Sequence, residues 1–275
     1  MIILNVEHIK PLEINETIVM VHGLQSSLRT FDITVQNLPA NYEVFRVDQR
    51  GHGNSPASGE SYTSEEMAKD LHKVIHSSNI SIPFHLLGHS MGGRTALAYA
   101  GLYPEDLKGI IIEDMGMEQR ATLDENKLNR LKKLYAQYKD HQLIFDTKEE
   151  IEGILKPLFS YYKGLMESKV TELENGQFKL EFNPGVAALY GYQGNYSDLS
   201  WGLENEIPVS FFVADPEIGS AMNQRSIKII EEKFPRAKII YFPKAWHNIH
   251  KSQPVKFVEE LIKSIKNSGH YFLSK

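Results

Sequence analysis

Apolar residues fall in short, separated runs along much of the chain, and the runs differ in period. Thr17-Ile18-Val19-Met20-Val21 is continuous and β-branched, as expected of a strand buried on both faces. Tyr42 to Val47, Pro83 to Leu87, Gly109 to Glu113, Val209 to Val213 and Ala237 to Phe242 are read as further strands. Between them the pattern turns helical. Leu28 to Leu38 is amphipathic, and Ser64 to His76 sets Met67, Leu71, Val74 and Ile75 on one face, with Ser64 as the predicted cap. A small-residue run, Arg94 to Leu102, and the segments Ser220 to Phe234 and Pro254 to Lys266 are also expected as helices. Ile2 to Ile9 and Leu12 to Ile14 read as two short strands of an antiparallel start. Strand and helix alternate with short connections, which predicts the α/β class, a mostly parallel sheet covered on both faces.

The alternation breaks between residues 117 and 206. Leu128, Leu131, Leu134 and Tyr138 make one predicted helix face, and Ile151, Leu155, Leu158 and Phe159 another. Glu172 to Phe182 could form a hairpin around Asn175-Gly176. The expected organisation is a core from residues 1–116 and 207–275, with residues 117–206 inserted as a mainly helical cap.

Candidate chemistry gathers at strand ends. Gly88-His89-Ser90-Met91-Gly92 lies between a predicted strand and a predicted helix, with glycines two places either side of a serine. At so sharp a turn neighbouring Cβ atoms would collide, and the turn lifts the serine hydroxyl off the sheet edge. His22-Gly23, Asp48 to Ser55 and Asp114 also follow strands, and ligand sites in such sheets lie at that edge. A serine needs a base, itself oriented by a carboxylate. His247, in the loop after the last strand, is the expected base, and His250 is its rival. Asp114 is the favoured acid and Glu217 the alternative, for each follows a strand. Side-chain alternation along the Glu113-Asp114 pair predicts that only one faces the site. The expected oxyanion donors are the backbone N–H groups of Leu24 and Met91.

Composition narrows the field. The 275 residues carry a net charge of −5 and no cysteine, which argues against nucleic acid and excludes disulfides, thiolate metal sites and a cysteine nucleophile. The eleven histidines are read as scattered, without ligand spacing, and no metal is expected. No apolar run is long enough to span a bilayer. Met1 to Lys10 does not read as a signal peptide, so a cytoplasmic location is expected. The basic residues Lys127, Arg130, Lys132 and Lys133 read first as a solvated helix face, with an anionic substrate as the second reading. The aromatic cluster Phe159, Tyr161, Tyr162, Tyr190 and Tyr192 could line an acyl pocket, with Phe159, Tyr162 and Tyr190 as its expected substrate-binding residues, or equally pack the cap on the body.

Taken together, His22-Gly23, Asp48-x-Arg50-Gly51-His52-Gly53-x-Ser55, Gly88-His89-Ser90-Met91-Gly92-Gly93 and the late His247 resemble the α/β-hydrolase fold superfamily. Within it the chain is most similar to small bacterial YbfF-like serine esterases. That resemblance implies Asp114 as the acid, since in that group the acid follows the strand after the elbow. It implies hydrolysis of small-molecule acyl esters, or of acyl-CoA thioesters, by a cofactor-free Ser-His-Asp mechanism. A carbon–carbon bond hydrolase of the same fold and a non-catalytic binding protein are the alternatives. Oligomeric state is left open by the sequence.

Overall fold

A computed structural model describes residues 3–139 and 143–273. The chain opens with β1 (Val6–Ile9), β2 (Glu16–Val21), α1 (Asp32–Asn37) and β3 (Tyr42–Val47). Next come α2 (Ser64–Ser77), β4 (Phe84–His89), α3 (Met91–Leu102) and β5 (Leu107–Glu113). A long excursion follows: α4 (Glu125–Tyr138), β6 (Ile144–Phe145), α5 (Lys148–Leu155), α6 (Tyr162–Lys169), β7 (Val170–Glu172), β8 (Phe178–Leu180) and α7 (Pro184–Gln193). The chain returns through β9 (Val209–Ala214), α8 (Gln224–Lys233), β10 (Lys238–Phe242), α9 (Ile249–Ser252) and α10 (Pro254–Leu273).

Seven strands form one sheet in the order β1-β3-β2-β4-β5-β9-β10. All neighbours are parallel except β1, which runs antiparallel to β3. Strand alternation explains both cores. Val19, Val21, Phe45, Leu86, Ile112 and Phe211 face one layer with α2, α3 and α8. Ile18, Met20, Val44, Leu87, Ile111 and Phe212 face the other, against Phe257, Leu261 and Ile265 of α10. The strands buried on both faces are therefore the continuous apolar runs of the sequence.

Two local expectations are corrected. Leu12 to Ile14 is not a strand: Leu12 is exposed, Pro11 offers no N–H, and β1 pairs with β3 instead. Ile2 lies outside the described residues. The α2 cap is Thr63, whose hydroxyl accepts from Glu66 N at 3.3 Å, one residue before the expected Ser64.

Between β5 and β9, Asn175-Gly176 does turn a hairpin, with Gly176 at φ +82° and β7 paired antiparallel to β8. The two-residue β6 adds to β8 as a third strand. Ile151, Leu155, Phe159, Leu165, Leu180 and Phe182 form a separate apolar cluster there. Tyr135, Val186, Leu189 and Tyr190 pack into the main core instead. Arg94 fastens this segment to α3. Its fully buried guanidinium donates to the carbonyls of Gly116, Glu118, Gly194 and Ser197.

Glu43 on β3 gives the fold a pH dependence. Its buried carboxylate meets Thr17 Oγ1 at 2.9 Å, Ser81 N at 3.1 Å and His8 Nε2 at 2.8 Å. Burial pushes its pKa up, but the hydrogen bonds from Ser81, His8 and Thr17 outweigh it and bring the value from 4.5 to about 2. A depressed carboxyl stabilises fully above its unfolded pKa, and that stabilisation fades as pH falls through the folded one. In denaturant titrations, stability should therefore decline between pH 4.5 and about 2. Glu43→Gln should flatten that slope by up to one proton, roughly 1.4 kcal/mol per pH unit.

Candidate active site

Ser90 stands where the central strand β4 turns into α3. Its backbone is held at φ 53° and ψ −121°, a conformation rarely taken by a residue with a side chain. Glycines make the turn possible. A Cβ on Gly88 would lie 2.3 Å from Gly92 O, and one on Gly92 would lie 2.2 Å from Val21 O. Ser90 N donates to Glu113 O of β5 at 2.9 Å, and Gly93 N closes the first turn of α3 on Ser90 O at 2.8 Å. The hydroxyl itself makes no hydrogen bond among the described residues.

The loop after β2 presses onto this turn. A Cβ at Gly23 would come within 2.9 Å of Ser90 Cβ. His22 braces the loop: its Nδ1 donates to Gly23 O at 2.7 Å and its Nε2 accepts from Gln49 N at 3.0 Å. Burial holds the His22 imidazole below its usual pKa, which suits that neutral role. Neither Leu24 N nor Met91 N donates to a backbone group among the described residues.

The structure brings Asp114, not Glu217, to His247. Asp114 Oδ2 accepts from His247 Nδ1 at 2.7 Å. Oδ2 also accepts from Ala221 N at 2.7 Å, and Oδ1 accepts from Ala214 N at 3.0 Å and Ser220 Oγ at 2.5 Å. Burial raises the carboxyl's pKa, but the bonds from His247, Ser220 and Ala221 hold it below the usual carboxylate value. Glu217 is exposed in the turn Pro216–Ile218. His247 keeps its side chain 29% exposed, so its other ring nitrogen is left for chemistry.

The alternation expected of Glu113-Asp114 does not continue past the strand. β5 ends at Glu113, and Asp114 takes φ 49°, which swings its carboxylate toward His247. Glu113 holds the rival histidine: its carboxylate contacts His250 Nδ1 at 2.8 Å, and both side chains are fully buried. His250 Nε2 meets Thr30 Oγ1 at 2.9 Å. The two adjacent acids thus each fix one histidine of the same loop. His89 packs beneath, its ring 4.8 Å from that of His247 and its Nε2 3.2 Å from His247 O. Arg50 is structural, its Nε bonded to buried Asp70 at 2.7 Å. His52 is buried against His22 and Tyr190, and burial pushes its pKa down to about 3.

Beside Leu24, a cleft of about 710 Å³ is lined by Leu158, Phe159, Tyr161 and Tyr192. Of the expected pocket aromatics, Phe159 lies in its wall. Tyr162 packs instead against the small apolar cluster of the 117–206 segment. Tyr190 is fully buried, and its hydroxyl is spent on Thr95 Oγ1, Gln49 Oε1 and Met91 O. It therefore locks α7 onto the elbow and lines no open space. Lys127 and Arg130 share the cleft wall, whereas Lys132 reaches Glu60 at 3.3 Å. Tyr161 Oη donates to Gln25 Oε1 at 3.3 Å, tying the cleft to the loop after β2.

Arg94 passed unremarked in the sequence, although a lone arginine in a run of small buried residues is a signal that it must find partners. The reading of the histidines as lacking ligand spacing is also corrected: His72-x-x-x-His76 stands on α2, with Asp106 beside both rings.

A family model described as alpha/beta hydrolase fold matches residues 16–141. A Bacillus subtilis (strain 168) protein, provisionally named a 2-succinyl-6-hydroxy-2,4-cyclohexadiene-1-carboxylate synthase, is 26% identical over 91% of this chain and 92% of its own. A provisionally named esterase/lipase of Haemophilus influenzae is 26% identical over 92% of this chain and 83% of its own. Among solved structures, a marine microorganism esterase superposes with a TM-score of 0.70 at 25% identity, covering 96% of this chain and 99% of that one. With a seven-stranded, mostly parallel sheet and a serine elbow at its centre, the chain has the α/β-hydrolase fold, as a hydrolase of the esterase- and lipase-like kind.

Proposed function

We propose that the protein is a serine carboxylesterase acting on small acyl esters through Ser90, His247 and Asp114. The observation that carries this reading is the 2.7 Å bond from His247 Nδ1 to buried Asp114, beside a serine held in a strained elbow. Ser90 Oγ attacks the ester carbonyl as His247 takes its proton. The amides of Leu24 and Met91 receive the developing oxyanion; two such preorganised donors are each worth about 10²–10³ in rate. His247 then protonates the leaving alcohol, and water, activated by the same histidine, releases the acid. Asp114 fixes the imidazole tautomer and stabilises its cation. Residues 117–206 act as a cap, and the cleft that they line beside Leu24 holds the acyl group. Serine–histidine contacts in apo hydrolases commonly tighten only when substrate binds.

A carbon–carbon bond hydrolase using the same three residues is the second reading. It is favoured by Lys127 and Arg130 in the cleft wall, which suit an anionic substrate.

The test is covalent. A fluorophosphonate should modify Ser90 alone, located by peptide mass spectrometry, and wild-type protein should hydrolyse p-nitrophenyl esters of two to eight carbons. Labelling without turnover of any ester or acyl thioester would transfer the case to the carbon–carbon reading. No labelling would overturn the serine mechanism itself.

A further inference from the structure

His72 and His76 stand one turn apart on α2, so both rings project from one helix face. They converge on one carboxylate. His72 Nδ1 lies 3.2 Å and His76 Nε2 2.9 Å from Asp106 Oδ2. Asp106 belongs to a different element, the turn Pro104–Asp106 between α3 and β5. The three possible ligand atoms all lie within 4.8 Å of one another. Four-coordinate zinc, with bonds of about 2.0–2.1 Å, sets neighbouring ligand atoms about 3.3 Å apart, close to the two nitrogen–oxygen spacings here.

The surroundings resemble an outer ligand shell. Tyr99 Oη donates to the same Asp106 oxygen at 2.6 Å, which fixes the carboxylate. The His72 ring stacks on Tyr103 at 3.7 Å and 5°, which fixes the imidazole. Access is open on one side, because the side chains of His72 and His76 are 27% and 43% exposed while that of Asp106 is 4% exposed. The other cluster of this kind, His89, Glu113 and His250, is buried throughout and already holds its own hydrogen bonds.

We propose that His72, His76 and Asp106 bind one divalent transition cation of the zinc class, clamping α2 to the α3–β5 turn. Two imidazoles and one carboxylate suit Zn²⁺, Ni²⁺ or Cu²⁺ rather than the all-oxygen cages of Ca²⁺ or Mg²⁺. The exposed side leaves room for water as a further ligand. Asp106 immediately precedes β5, whereas Ser90 follows the parallel β4, so the site sits at the sheet edge opposite Ser90. Its role is therefore structural and separate from ester hydrolysis.

The test uses chelator-stripped, tag-free protein titrated with Zn²⁺ by calorimetry and with Co²⁺ by visible absorption. One equivalent should bind. Zinc in about 100-fold excess over its Kd should raise Tm by roughly 5 °C. His72→Gln and His76→Ala should each weaken binding at least about tenfold, and their metal-free esterase activity should match the wild type, which shows that they fold. His247→Ala should keep the one-to-one stoichiometry. No saturable binding would overturn the proposal, as would binding that survives the His72→Gln/His76→Ala double variant.

Discussion

Ser90→Ala should lower kcat on p-nitrophenyl esters by about 10⁵–10⁶-fold, with KM nearly unchanged. The loss is so large because the hydroxyl is the attacking atom, and neither His247 nor the oxyanion donors can replace it. Water attack assisted by the remaining groups should leave a residual rate about 10³–10⁴-fold above the uncatalysed one. The variant should keep its fold. Ser90 Oγ makes no hydrogen bond among the described residues, and alanine retains the Cβ that already tolerates φ 53° and packs beside Gly23. Tm measured by circular dichroism should therefore move by no more than roughly 2 °C, as befits a substitution that breaks no buried contact. Retention of esterase activity in a verified Ser90→Ala sample would remove Ser90 from the mechanism and, with it, the proposed acyl-enzyme.

The elements that build the site were legible because their signals are local. Thr17 to Val21 and Gly109 to Glu113 are apolar without interruption, and only a strand covered on both faces uses such runs. Gly88, Ser90 and Gly92 are close in sequence because the sharp turn is, and steric exclusion at a turn reads directly from residue type. What depends on distant partners was not legible. Leu12 to Ile14 has the apolar content of a strand, but its pairing was decided by β3, which takes β1. Tyr190 and Tyr162 have the composition of a pocket, yet Tyr190 spends its hydroxyl on Thr95 and Gln49, far away in sequence. Asp114 was favoured over Glu217 as the partner of His247, but the backbone angle that aims it there was not legible. A left-handed residue after β5 redirects its side chain, and alternation cannot anticipate that.

Asp114→Asn should cost about 10⁴-fold in kcat, while Glu217→Gln leaves it within twofold. Proton direction sets the size of the loss. In the wild type Asp114 Oδ2 accepts from both His247 Nδ1 and Ala221 N, while Oδ1 accepts from Ala214 N and Ser220 Oγ. An asparagine has one accepting oxygen. If it keeps that oxygen on Ala214 and Ser220, its NH₂ faces His247 Nδ1, which must then accept. The proton moves to the far ring nitrogen, the atom meant to receive the Ser90 proton, and the base is blocked. The same NH₂ opposes the Ala221 amide, leaving one partly buried donor unpaired and lowering stability by about 1 kcal/mol. Measuring kcat in both variants distinguishes the two carboxylates. A large loss in Glu217→Gln beside a mild one in Asp114→Asn would mean that the loop after β9 moves in solution to supply the acid, and that the 2.7 Å bond to Asp114 only anchors the His247 loop.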